Sequence, residues 1–277
     1  MVFFLFAGGV MRRRFFILVS VLVGLWTIGP FQAQADQPSF RVFLDVTDAP
    51  EVGTDAVKAS ALVKEWYPKI NGFLFDHAHP LPFNLVVLSF EPNPAIKNAP
   101  AFAMGNVIHV NSNYIQHMPD DFRALMVHEL THINQHYPSK KPDSVWIIEG
   151  IADYVRHKYY EKDIQLTLRM NSKGQLTGYS SAEPLFYNLQ SAGTSLDDRG
   201  YLQQYTVAAT FLYWLEARKD PDIIHHLNTA LSQDQYKPDL FRILCGRPLD
   251  DLWGEFVTES KTGRPALGGP ITEKSVH

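Results

Sequence analysis

The hexapeptide Val127-His128-Glu129-Leu130-Thr131-His132 combines residue types and a spacing that suit metal-assisted hydrolysis. Histidines at i and i+4 of a helix present their imidazoles on one face, close enough to share a tetrahedral ion. Glu129 lies at the edge of that face, where it reaches a water on the ion rather than the ion itself. A catalytic zinc takes a third protein ligand and keeps one position open. Seventeen residues after His132, Glu149 stands in Trp146-Ile147-Ile148-Glu149-Gly150-Ile151-Ala152-Asp153-Tyr154. In so apolar a helical stretch an unpaired carboxylate is expensive, and coordinating a cation removes that cost. Glu149 is therefore the expected third ligand of a single Zn²⁺. Asp153, one turn on, faces the same way and can accept the N–H of a ligand histidine, fixing its tautomer. Gly150 is expected to leave room for the first helix.

Such an ion lowers the pKa of a bound water from about 15.7 to about 7. Glu129 then serves as general base and returns the proton to the leaving amine. The developing oxyanion needs a second donor; Tyr205 is the candidate, with Tyr201 in reserve. The extended Pro100–Gly105 segment could act as an edge strand that pairs with a peptide backbone. Other reactive side chains have structural readings. His136 suits the negative end of a helix dipole better than a fourth ligand position. His225-His226 reads as surface, and Phe211, Tyr213, Trp214 and Leu215 as core. Cys245 reads as a buried inert thiol; as the single cysteine it rules out an intramolecular disulfide. His109 has no assigned role.

The elements that must position these groups follow from periodicity. Phe40–Val46 alternates as a strand, residues 54–74 carry apolar positions at helical spacing, and Phe83–Phe90 reads as a second strand. Ala99–Asn111 reads as two short strands turning at Gly105. Beyond Pro119 the pattern becomes helical: one helix capped by Asp120 or Asp121 runs to Tyr137, where Pro138 stops it. A second, capped by Asp143 or Ser144, ends near Tyr160. Residues 163–183 suggest a hairpin around Lys173-Gly174, and helices resume over 201–218, 221–232, 238–244 and 249–258. The expected class is α+β: a small N-terminal mixed sheet with a covering helix, an active-site helix, then a helical C-terminal subdomain.

With 277 residues, 45% of them hydrophobic and 19% charged, the chain is an ordinary folded protein. Arg12, Arg13 and Arg14, then an apolar run from Phe15 to Ile28, then Ala33-Gln34-Ala35 make residues 1–35 a secretory signal, with Met11 a possible true start. The run is shorter than the roughly 20 residues of a spanning helix, so stable membrane insertion after cleavage is not expected. Location is then secreted or periplasmic. Residues 36–260 would form the domain and 261–277 a disordered tail. Without the three arginines, 22 basic face 29 acidic residues, a formal charge of −7 that disfavours nucleic acid as partner.

His128-Glu129-Leu130-Thr131-His132-Ile133-Asn134-Gln135 with Glu149-Gly150-Ile151-Ala152-Asp153-Tyr154-Val155-Arg156 resembles the basic secretory proteins, the peptidases of plants and bacteria. Gly105–Val110, Tyr205–Leu212 and Leu249-Asp250-Asp251-Leu252-Trp253 extend the likeness over Phe40–Thr258. The resemblance implies a compact zincin fold of gluzincin type, secretion, and zinc-dependent peptidase activity on peptide or protein substrates. His128, Glu129, His132, Glu149 and Asp153 fall on matching motif positions, and Tyr205 in the matching helix. The chain is acidic, which departs from the family's description. Two other functions remain compatible with the motifs: a catalytically silent zinc-binding secreted protein, and a zinc amidase acting on a non-peptide amide. Retention of Glu129 favours catalysis, because a purely binding site needs no base.

Overall fold

The computed structural model describes residues 40–260 apart from 76–78, 93–98, 162–166, 171–175, 181–197 and 204, with backbone alone at 119, 120, 167–170, 176–180 and 260. The export signal and the tail expected from the sequence lie outside these residues.

β1 (Arg41–Asp45) leads through a short 3₁₀ turn into α1 (Gly53–Leu74), followed by β2 (Leu85–Glu91), β3 (Ala101–Met104) and β4 (Val107–Asn111). The sheet order is β1-β2-β4-β3. β1, β2 and β4 run parallel and β3 antiparallel to β4, so the sheet is mixed and β3 forms one edge. Gly105 supplies the left-handed turn between β3 and β4 at φ +60°. β2 alternates buried Val86, Leu88 and Phe90 with half-buried neighbours, as expected of a sheet covered on one face. Val63, Tyr67 and Ile70 of α1 share the core with that buried face.

α2 (Ser112–His117), which the sequence reading did not contain, leads directly into α3 (Pro119–Gln135). Met118 is the N-cap of α3, without a side-chain cap hydrogen bond, and Pro119 opens the first turn; the side chain of Asp120 lies outside what is described. Asp121, one of the expected caps, instead accepts from Tyr114 Oη at 2.5 Å and Arg156 Nη2 at 2.7 Å. α4 (Val145–Val155) begins after Ser144, whose hydroxyl is also diverted, donating to the Lys141 carbonyl at 2.9 Å. A π-helical turn, Arg156–Tyr160, continues α4. The expected hairpin is present as antiparallel β5 (Thr167–Met170) and β6 (Leu176–Ser180); its turn lies outside the described residues.

A 3₁₀ turn at Gly200–Gln203 precedes α5 (Tyr205–Arg218), α6 (Ile223–Ser232), α7 (Leu240–Cys245) and α8 (Leu249–Ser260). α5 is buried on nearly all sides, with Phe211, Tyr213, Trp214 and Leu215 in the core, and its main neighbour is α4. Cys245 is half-buried rather than buried, and burial pushes its thiol up to about 11. Among the described residues no helix is long and apolar enough to cross a membrane.

Candidate metal centre

Helical pitch places His128 and His132 one turn apart on α3. Their Nε2 atoms face each other at 3.1 Å. Glu149 of α4 brings Oε2 to 3.4 Å from His128 Nε2 and 3.2 Å from His132 Nε2. Among the described residues these three are the group of metal-ligating side chains whose donor atoms converge.

The outer nitrogens show which way the rings point. His128 Nδ1 lies 2.7 Å from Asp153 Oδ1, and His132 Nδ1 lies 2.7 Å from Gln135 Oε1. Gln135 donates its own N–H to the Ile148 carbonyl at 3.0 Å, so its oxygen is the atom turned to His132. With both Nδ1–H groups donated outward, both Nε2 atoms present lone pairs inward. Two lone pairs 3.1 Å apart, beside a carboxylate oxygen, require a positive charge between them. A tetrahedral ion with arms of about 2.0–2.1 Å has edges of about 3.3–3.4 Å, close to the three separations. The cluster fits a metal ion.

Electrostatics agree. Burial disfavours a charged His128, but hydrogen bonds to Asp153 and Glu149 and the nearby Glu129 charge prevail and raise it to about 10. Burial likewise works to raise Glu149, yet the two imidazoles hold it far below its usual range. Positive charge is thus favoured at this point, as a proton on His128 Nε2 when no ion is bound and as the ion itself when Nε2 offers its lone pair.

Asp153 is 1% exposed and accepts a second hydrogen bond from Thr206 of α5 through Oδ2, at 2.7 Å. His157 Nε2 donates to the same threonine hydroxyl at 3.2 Å, and its Nδ1 lies 2.7 Å from Glu161 Oε2. Arg156 joins Glu161 to Asp121, by Nε at 3.1 Å and Nη2 at 2.7 Å. One buried chain of polar groups thus runs from the His128 ring through α4 to the start of α3. Gln135, Thr206, His157 and Glu161 had no role assigned from the sequence. Gln135 was accessible to it, standing three residues from His132 on the same face; Thr206 belongs to a distant segment and was not.

Glu129 is 5% exposed and has no hydrogen-bond partner among the described residues. Tyr205 opens α5 with φ +48°, a left-handed backbone unusual for a side chain of its size. Its ring centroid is 6.1 Å from that of His128. Burial, then the charges of Glu149, Asp153 and Glu129, push its hydroxyl up to about 12, so it keeps its proton at neutral pH. Tyr201 does not reach the centre: its hydroxyl donates to Asp250 at 2.6 Å and its ring packs on Trp146. His136 caps α3 at φ 28° with its ring on the edge of Phe83. His226 is exposed and paired with Asp220, and His109 pairs with Glu91 on the sheet. Gly150 does not open space towards α3; a Cβ there would meet Ala208 Cβ of α5 at 2.8 Å.

No curated protein and no solved structure matches the chain. The family model described as the peptidase of plants and bacteria matches residues 96–189 and 183–256. Together these segments cover more than half of the 277 residues and include every side chain of the centre. The chain therefore belongs to the basic secretory protein family, the peptidases of plants and bacteria.

Proposed function

We propose that this protein is a secreted, zinc-dependent peptidase of zincin-like fold and gluzincin type. In it His128, His132 and Glu149 hold one zinc ion, and Glu129 is the general base. The observation that carries the reading is the convergence of two imidazole Nε2 atoms and one carboxylate oxygen at 3.1, 3.2 and 3.4 Å, with each ring anchored through Nδ1. When bound, zinc would polarise the scissile carbonyl and make a water acidic enough to lose its proton near neutrality.

The chain's own groups perform the rest. Glu129 follows His128 directly, is nearly buried, and has no hydrogen bond among the described residues competing for its oxygens. It takes the proton of the attacking water and delivers it to the departing amine. Tyr205, protonated up to about pH 12, donates to the oxyanion that forms on the carbonyl. β3, an edge strand packed against α3, offers backbone groups to an extended substrate. Asp153 holds the His128 ring in the required tautomer. In this reading residues 1–35 are a cleaved export signal, residues 36–260 the hydrolase domain, and peptides or unfolded proteins the substrates.

The test compares the purified zinc-loaded protein with Glu129→Gln on an unfolded protein substrate, reading new amino termini. Wild-type cleavage should fall by at least about 10²-fold in the variant while zinc content stays the same. No cleavage by the zinc-loaded wild type on a broad set of unfolded substrates would refute the peptidase reading.

A further inference from the structure

Gln135 is the last residue of α3 and is 3% exposed. A buried primary amide must satisfy a carbonyl and an N–H₂ group together. Here both tasks bear on the proposed centre. Oε1 accepts from His132 Nδ1 at 2.7 Å, and Nε2 donates to the Ile148 carbonyl at 3.0 Å. Ile148 immediately precedes Glu149, so one side chain grips the ring of a ligand on α3 and the backbone beside a ligand on α4. We infer that Gln135 is a positioning residue for the zinc site: its oxygen fixes the tautomer of His132, while its N–H₂ steadies the side chain on the Ile148 carbonyl. This rests on the zinc reading above.

The two histidines are anchored differently. His128 leans on a carboxylate that is itself held by Thr206. The outer nitrogen of His132 has the amide of Gln135 as its hydrogen-bond partner among the described residues, while its Nε2 faces His128 and Glu149. Without that acceptor the imidazole can turn or carry its proton on Nε2, and in both cases the inward lone pair is lost. The choice of amide over carboxylate also follows from the contacts. A glutamate would still accept from His132, but its second oxygen would face the Ile148 carbonyl with no hydrogen to share. Gln135 satisfies both neighbours and adds no charge to a pocket that already holds Glu129, Glu149 and Asp153.

The experiment measures Zn²⁺ dissociation constants for the full-length protein, Gln135→Met and Gln135→Glu by competition with a chromophoric chelator. Melting temperatures of the metal-free proteins are recorded alongside. Methionine keeps the volume and removes both hydrogen bonds, so zinc should bind roughly 10- to 100-fold more weakly. Glutamate keeps the acceptor for His132 and should recover most of that loss. Recovery by glutamate separates positioning from packing, since a purely structural role would lower the melting temperatures and leave the three affinities equal. Equal affinity in all three proteins overturns the inference and leaves the metal reading standing. No zinc binding by the wild type overturns the metal reading itself. Should the methionine variant fail to fold, the glutamate variant decides: affinity within about tenfold of wild type supports the inference, and a larger loss overturns it.

Discussion

Asp153 receives hydrogen bonds from two directions, His128 of α3 on Oδ1 and Thr206 of α5 on Oδ2. Burial works to raise its pKa, but His128 and His157 hold it well below the usual carboxylate range, so it stays ionised. Only a carboxylate can accept on both sides at once. Asparagine would turn an N–H₂ towards either the threonine hydroxyl or the imidazole N–H. Asp153→Asn is therefore expected to weaken zinc binding roughly 10- to 100-fold, measured by chelator competition, with far-ultraviolet circular dichroism unchanged. The adjacent Tyr205 depends on the same anchor. Thr206, tied to Asp153, begins the regular turn of α5 and leaves Tyr205 in its left-handed conformation beside His128. Strain of this kind persists when surrounding contacts over-determine it.

At the scale of elements, the contact between α4 and α5 sets the position of Glu149. Gly150, the next residue, faces α5 so closely that an added Cβ would sit 2.8 Å from Ala208 Cβ and 3.1 Å from Leu212 Cδ1. The first distance is shorter than carbon atoms tolerate, and the obstacle is a rigid helix with no flexible chain end to move aside. Gly150→Ala gains about 1 kcal/mol of helix propensity but must push the helices apart, which typically costs about 1–3 kcal/mol. Net destabilisation of about 1 kcal/mol is expected in thermal melts of the metal-free protein. Because Glu149 moves with its helix, zinc affinity should fall in the same variant. A variant as stable and as tight as wild type would show that α4 and α5 are not held in register at this point.

Across the whole molecule, the buried polar chain from Asp153 to Asp121 makes stability depend on pH. Burial favours neutral Glu161, yet the hydrogen bond from His157 and the charge of Arg156 lower its pKa below 4.5. Burial also opposes charge on His157, yet Asp153 and Glu161 raise it above 6.5. A depressed carboxylate contributes stability above its unfolded value of 4.5, and that contribution is lost as pH falls through the folded value. A raised histidine contributes fully below 6.5 and less as pH climbs through its folded value. The pair therefore stabilises the fold most between pH 4.5 and 6.5. Glu161→Gln breaks a buried pairing and should cost on the order of 3 kcal/mol in that window. The variant should also lose less stability than wild type on acidification below it. Denaturant melts of both proteins across pH 3–8 check this, and parallel curves would count against the coupling.

Local order was legible along the chain because it depends on neighbours in sequence. Period-two runs became β1, β2 and β4, period-3.6 runs became α1, α3 and α5, and Gly105 marked its turn. The i, i+4 spacing of His128 and His132 fixes their common face before any tertiary contact forms, and an apolar run around Glu149 makes a partner for that carboxylate necessary. The placement of Glu149 beside them depends on how α3 and α4 meet, which follows from packing. Contacts between distant segments decided the remainder. Asp121 looked like a helix cap but is taken up by Arg156 and Tyr114, leaving Pro119 to open α3. Gly150 faces α5 and not α3, and Tyr201 turns to Asp250, because these choices depend on what lies across an interface. The short α2 was missed because it has too few turns for a periodic signal to show. Sequence by itself determined which side chains were candidates for the centre; only the tertiary structure decided that His128, His132 and Glu149 converge and which groups aim them, since a hydrogen bond to an imidazole needs a partner within about 3 Å and sequence distance says little about that.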